Sequence, residues 1–482
     1  MEAVLRNLIE GYRDELIADA RSILRLPSVC GSPCAGAPFG REINEALEAV
    51  LALGRKMGFS CRSLQGYAGV VDYACEGAHG EPLGILTHID VVPAGEGWSR
   101  PPFGALLQDG RIYARGAVDD KGPLVAVLYA MRALKESGLP LARPVRHIIG
   151  CDEESGFRCM EYYLKHEDPP PFGFVPDTEF PLVFAEKGIC QFRVCRTLTC
   201  STEKGAIELL SLRGGGAVNV VPAEAAAHLR VTPPGQKLLQ QAYAAFAKRE
   251  RLSLLAEGET VELRAGGKAA HASMPESGEN AVALLLEFLK GLSLLPAETV
   301  LFLKSLHELF GGESGGRGAG IAVSDGESGP LTLSLNVIEV DEGFAEAKLD
   351  MRYPVTAEFA PLWRRLTEVC AARGLEIHPM QHKEPLFLPQ GSPLARTLLQ
   401  VYRDVTGDDS PPLAIGGGTY SRAMKNFAAF GPLLPGREKL AHQADEYIAT
   451  EDLMLMTMIY AEAIYRLAGA GNETDSFAGH GP

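Results

Sequence analysis

Three apolar runs each lead into side chains able to bind a metal ion, and this repeated arrangement narrows the folds open to the chain. Gly84-Ile85-Leu86-Thr87 runs into His88-Ile89-Asp90, Val145 to Gly150 runs into Cys151-Asp152-Glu153-Glu154, and Phe172 to Pro176 runs into Asp177. Short continuous apolar stretches of this kind read as strands buried on both faces, as in parallel sheets covered by helices. Between the first two runs, Pro123 to Lys135 reads as a helix. Leu124, Val127, Leu128, Met131 and Leu134 share one face, Pro123 suits the first turn, and Gly138 follows the end. Strands at Gly69 to Tyr73 and Leu83 to Val92 extend the alternation, which predicts an α/β domain with a mainly parallel, helix-covered sheet. Ligands of such sheets gather beyond the carboxyl ends of the strands, where His88, Asp90, Glu153, Glu154 and Asp177 all fall.

At 482 residues the chain exceeds one ordinary domain. Its texture changes between 186 and 384, where glycine-rich interruptions at 214–216 and 311–320 separate alternating strands such as Leu331 to Val340 and Ala345 to Arg352. Helix-strand patterning returns after Leu386, including Ser392 to Val405 and Glu451 to Leu467. The expected organisation is a catalytic domain in two parts, 1–185 and 385–468, interrupted by an inserted α+β lid over 186–384. The polar, glycine-rich tail over 469–482 is expected to be disordered. Asn219-Val220-Val221-Pro222 with Arg230 eleven residues after Asn219 is echoed by Asn336-Val337-Ile338-Glu339 with Arg352 sixteen after Asn336. The echo reads either as two related halves of the lid or as chance similarity.

The 46 Lys and Arg residues are outnumbered by 61 Asp and Glu, and the resulting charge of -15 argues against nucleic acid or an anionic membrane as partner. Apolar residues in the first thirty positions follow a helical period, unlike the continuous block of a signal peptide, and no run approaches the roughly 20 apolar residues that span a bilayer. A cytoplasmic protein acting on small molecules is the expectation. The ten cysteines have no Cys-x-x-Cys pairing and read as ordinary reduced thiols, Cys30 and Cys34 included.

Imidazole and carboxylate, rather than closed sets of thiolates, are what zinc takes when it is to do chemistry. Each piece has a plainer reading in isolation. A lone His-x-Asp is common, Glu153-Glu154 could be a solvated acidic turn opening a helix, and Asp177 could cap a turn. With Asp119-Asp120-Lys121-Gly122 added, however, several carboxylates converge on one sheet edge, where they would repel one another unless cations compensate. The glycine triplets and Lys121 have neither a Walker nor a Rossmann spacing, so no phosphate site is expected.

His88-x-Asp90, Asp119-Asp120-Lys121-Gly122, Asp152-Glu153-Glu154-x-Gly156, Asp177 and His442 together resemble the co-catalytic zinc peptidase superfamily that contains aminoacylase, carboxypeptidase G and carnosinase. Pro176-Asp177-x-Glu179-Phe180-Pro181, Glu186-Lys187-Gly188 and Gly416-Gly417-Gly418-Thr419-Tyr420 are similar to its dipeptidase V branch, and the similarity covers nearly the whole chain. The resemblance implies two Zn2+ ions, for which Mn2+ or Co2+ can substitute. His88 and Asp177 would hold one, Glu154 and His442 the other, and Asp119 would bridge them. It further implies Asp90 as the carboxylate orienting His88, Glu153 as general base and a cis peptide between Asp119 and Asp120. In the lid, Ala270-His271-Ala272 followed by Pro275-Glu276 resembles the motif whose histidine stabilises the oxyanion, and Arg352 matches the arginine that meets a substrate carboxylate. Arg352 could equally pair with a neighbour near Asp350. Asn219 and the backbone around Gly418 are further substrate-binding candidates.

These readings combine into a monomeric zinc dipeptidase acting on unblocked dipeptides. The long lid would fold over its own active site. The alternatives are an N-acyl amino acid or N-succinyl diamine deacylase on the same metal centre, and a peptide-binding protein that has lost catalysis.

Overall fold

The run that ends at His88 forms the strand Leu83–His88, and every one of its residues is buried. A strand covered on both faces needs no polar side, which is why its sequence does not alternate. The computed structural model describes residues 3–198, 205–294, 297–341 and 343–469, and they divide into two compact units. The tail expected to be disordered lies, beyond Gly469, outside the described residues, as does Cys200.

The first unit comprises 1–184, 388–413 and 418–482. Four parallel strands form the centre of its sheet, in the order Val145–Gly150, Leu83–His88, Gly173–Val175 and Phe427–Ala429. The hairpin Ser60–Leu64 and Ala68–Tyr73 adds antiparallel strands at one side. Helix Lys121–Ser137 packs against Thr450–Ala468 and against Ala3–Gly11 and Arg13–Leu24, while Arg41–Lys56 lies on the hairpin. Gly138, with φ of 68°, closes the Lys121 helix in the left-handed conformation that glycine adopts most readily.

Two elements differ from the sequence reading. The single N-terminal helix is two helices, broken at Tyr12, whose side chain is nevertheless buried, so the apolar period continues unbroken through the kink. The strand expected to continue to Val92 stops at His88, where the ring turns back to the main chain of Asp90.

The second unit comprises 185–387 and 414–417. Its sheet has eight antiparallel strands, in the order Leu252–Glu257, Thr260–Gly266, Glu224–Val231, Ile207–Gly214, Thr332–Val340, Phe344–Tyr353, Gly188–Thr197 and Glu376–Lys383. The two middle strands meet through Leu212 opposite Val340. Outward from that seam each half runs hairpin, helix, strand, with a further strand slotted between the hairpin and the last one; the helices are Pro233–Ala245 and Phe359–Ala371. The Asn echo does not carry this repeat: Asn219 lies in the connection after one middle strand, whereas Asn336 lies within the other. Segment 414–417, far along the chain, joins this unit because Lys187 N–H donates to the Ile415 carbonyl at 3.0 Å and Arg352 Nη1 donates to that of Gly416 at 2.9 Å.

Candidate metal centre

The chemistry-bearing side chains of the first unit meet beyond the carboxyl ends of its parallel strands. His88, fully buried, is held through Nδ1 to the main-chain oxygen of Asp90 at 2.9 Å. This leaves Nε2 facing Asp119 Oδ1 at 3.0 Å and Asp177 Oδ1 at 3.5 Å. On the other side, His442 Nε2 lies 3.0 Å from Asp119 Oδ2 and 3.1 Å from Glu154 Oε2. The two oxygens of Asp119 thus face two different imidazoles, and His442 takes the left-handed backbone, φ 64°, a strained conformation typical of functional positions.

Two groups of donors, His88 with Asp119 and Asp177, and Glu154 with Asp119 and His442, each bring their atoms within 4.8 Å of one another. Nitrogen and carboxylate oxygen in this combination suit zinc, manganese or cobalt. Electrostatics agree: contacts with Asp119 and Glu154 outweigh burial and raise His442 to about 10, and carboxylate contacts likewise outweigh burial to hold His88 well above its ordinary value. The positive charge these rings are drawn to carry is what divalent cations would supply.

The three consecutive acids after Val145–Gly150 have separate tasks. Asp152 is buried and takes Arg158 bidentately, at 2.8 and 2.9 Å. Glu154 faces His442. Glu153 comes close to His88 and Glu154, and burial, reinforced by the charge of Asp177, pushes its carboxyl well above the usual range. The turn is fixed by Asp90, whose Oδ1 and Oδ2 accept the main-chain N–H groups of Glu153 and Glu154 at 3.2 and 3.0 Å. Its carboxylate is 3.6 Å from His88 Nδ1, so Asp90 orients His88 chiefly through its carbonyl and spends its carboxylate on the acidic turn.

Asp119 sits in a loop that other residues hold rigid. The Asp119–Asp120 peptide is cis, and the fully buried Asp120 accepts the His88 N–H at 3.1 Å. Gly122 allows the loop to approach the helix it opens, since a Cβ there would stand 2.2 Å from the Ala117 carbonyl oxygen. Glu446, also fully buried, accepts N–H groups from Gly116, Val118 and Asp119 and the guanidinium of Arg115 at 2.7 Å. Tyr420 N–H donates to Asp177 Oδ2 at 3.1 Å, and its hydroxyl passes over Gly150, where a Cβ would overlap it. Sequence reading missed Asp120 and Glu446 as functional; only the adjacency of Asp120 to Asp119 and of Glu446 to His442 hinted at them.

Of the candidate substrate contacts, the second unit brings three together. Val220 pairs with His271, and Asn219 accepts the Ala272 N–H at 2.9 Å. The pKa of His271 is lowered by burial and by the charge of Arg352, against the opposing charge of Asp350. His271 Nδ1 lies 2.7 Å from the Ser273 hydroxyl. Arg352 is buried and forks onto Asp350, so the strand-neighbour alternative is realised. Gly418 belongs to the first unit, and the triplet's contact with Arg352 comes from the Gly416 carbonyl instead.

Residues 84–466 match peptidase family M20/M25/M40. The chain belongs to that family. This M20 peptidase is 39% identical over 460 residues to YtjP of Bacillus subtilis, which bears a provisional dipeptidase name, covering 95% of this chain and 98% of that protein. It is 34% identical over 472 residues to a similarly named protein, SH1171, of Staphylococcus haemolyticus, covering 96% and 99%. Its fold resembles the solved aminoacylhistidine dipeptidase of Vibrio alginolyticus, with a TM-score of 0.59 at 14% identity over 93% of this chain and 96% of that one. Human carnosine dipeptidase 1 gives 0.57 at 14% over 97% and 99%. Among the described residues, no helix is long and apolar enough to cross a membrane.

Proposed function

We propose that this M20 peptidase is a two-metal dipeptidase that hydrolyses unblocked dipeptides, with Glu153 as general base. The observation that carries the reading is the placement of Asp119, one oxygen toward His88 and the other toward His442 at 3.0 Å each, the disposition of a carboxylate shared between two cations. His88 and Asp177 would hold one ion and Glu154 and His442 the other. When bound, the pair supplies Lewis acidity, lowering the pKa of a shared water and polarising the scissile carbonyl.

The protein's own residues do the rest. Glu153 takes a proton from the attacking water onto its carboxylate and later delivers it to the departing amine nitrogen, a double duty that suits a carboxyl shielded from bulk solvent. His271, Asn219 and Arg352 serve substrate binding, His271 as an oxyanion donor and Arg352 at a carboxylate through the N–H groups not engaged by Asp350 and Gly416; the backbone at Gly418, in the first unit, is a separate candidate contact. The second unit acts as a lid, and the chain works as a cytoplasmic monomer.

The test compares free dipeptides with their N-acetylated forms on metal-loaded protein. Hydrolysis of the free forms is expected, and turnover of only the blocked forms would replace the dipeptidase reading with a deacylase. Glu153→Gln should lower kcat by about 10²–10⁴-fold while metal content, measured by elemental analysis, stays unchanged.

A further inference from the structure

We infer that the second unit carries an additional site for a divalent cation of intermediate softness, such as zinc, formed by Cys195, Glu376 and His378. The strand Glu376–Lys383 is outermost in the eight-stranded sheet and pairs antiparallel with Gly188–Thr197. Cys195 lies directly opposite Glu376, and His378, two residues further on, shares the face of Glu376. The alternate residues Cys190, Phe192 and Val194 fill the core on the opposite face. The three donors therefore project from one side of a paired-strand platform, and a sulfur, an oxygen and a nitrogen from them lie within 4.8 Å of one another.

The neighbouring cations already have a carboxylate partner. Arg193 and Lys348 both pair with Glu346, at 3.3 Å each, and the Glu376 carboxylate faces His378 at 3.6 Å. Thiolate and carboxylate together would balance a dication, with neutral imidazole as third ligand. On binding, the S–H bond breaks, its proton leaves to solvent and the sulfur–metal bond forms. Cys195 is 7% exposed as a residue, whereas the side chains of Glu376 and His378 are 69% and 46% exposed, so a water can reach the cluster to complete a tetrahedral shell. A bound ion would fasten the outermost strand to its neighbour.

Sulfur separates this site from the candidate metal centre, whose donors are only nitrogen and oxygen. The experiment is titration of the chelator-stripped full chain with Co2+, followed by near-ultraviolet absorption. A sulfur-to-cobalt charge-transfer band is expected in the parent chain and in Asp119→Asn. The band should vanish in Cys195→Ser, which keeps the parent's peptidase activity as a check on folding, and should need at least tenfold more Co2+ in His378→Ala. Absence of the band at saturating Co2+, or its persistence in Cys195→Ser, overturns the proposal.

Discussion

At the scale of single residues, the metal-ligating candidates were legible because each stands at the end of an apolar run or beside another acid, whereas their supports were not. Asp90 reads in the sequence as a partner of His88, yet its carboxylate serves the N–H groups of Glu153 and Glu154; no spacing reveals which oxygen meets which donor. If the proposed centre is right, Asp119→Asn should weaken binding at both metal positions together, since its two oxygens face different imidazoles, and isothermal titration with Zn2+ would read two sites lost rather than one. His147 gives a pH prediction. Fully buried, with Nε2 2.7 Å from the Thr87 hydroxyl, it is pushed down from 6.5 to about 3 by burial. Because the folded value lies below the unfolded one, the unfolded chain binds the extra proton between those limits, and this residue's contribution is complete above pH 6.5 and lost as pH falls toward 3. His147→Leu should be less stable at pH 7 by about 1–3 kcal/mol, through an orphaned Thr87 hydroxyl, and should lose less stability than the parent on acidification, as denaturant midpoints across that range would record.

At the scale of elements, periodicity located strands and helices to within a residue or two wherever one side of the element faces a core: the strand Val145–Gly150 and the helix Thr450–Ala468 are where their apolar patterns place them. It failed where a break leaves the pattern intact, as at Tyr12, and where a strand ends as a ring turns back to the main chain, as at His88. The loop before Lys121–Ser137 owes its shape to Glu446, more than 300 residues away, a dependence that local patterns do not encode. Glu446→Ala would leave three N–H groups without this acceptor and strip Arg115 of its carboxylate partner, with only the Gln443 and Ala94 carbonyls remaining to it. It should cost about 3–5 kcal/mol of stability and lower metal affinity or activity by about 10–100-fold, the latter measured on protein confirmed as folded by circular dichroism.

At the scale of the whole molecule, the sheet with four parallel central strands was legible from alternating element types; the change of texture gave an expected insert of 186–384, and the second unit comprises 185–387 and 414–417. The inclusion of 414–417 in that unit was not legible, because hydrogen bonds from the Lys187 main chain and the Arg352 side chain to the Ile415 and Gly416 carbonyls leave no composition signal. Stripping the protein with a chelator should abolish hydrolysis and lower the thermal midpoint, and adding Zn2+ at a hundred times its dissociation constant should return about 2.7 kcal/mol of stability for each site filled, visible in a melting curve. The anchoring of Asp119 by Glu446, four residues beyond His442, has a consequence for biosynthesis. Until residues 442–446 have left the ribosome, a nascent chain has neither the second candidate imidazole nor the acceptor that holds the loop of Asp119, so the proposed centre can form only after that stretch is made.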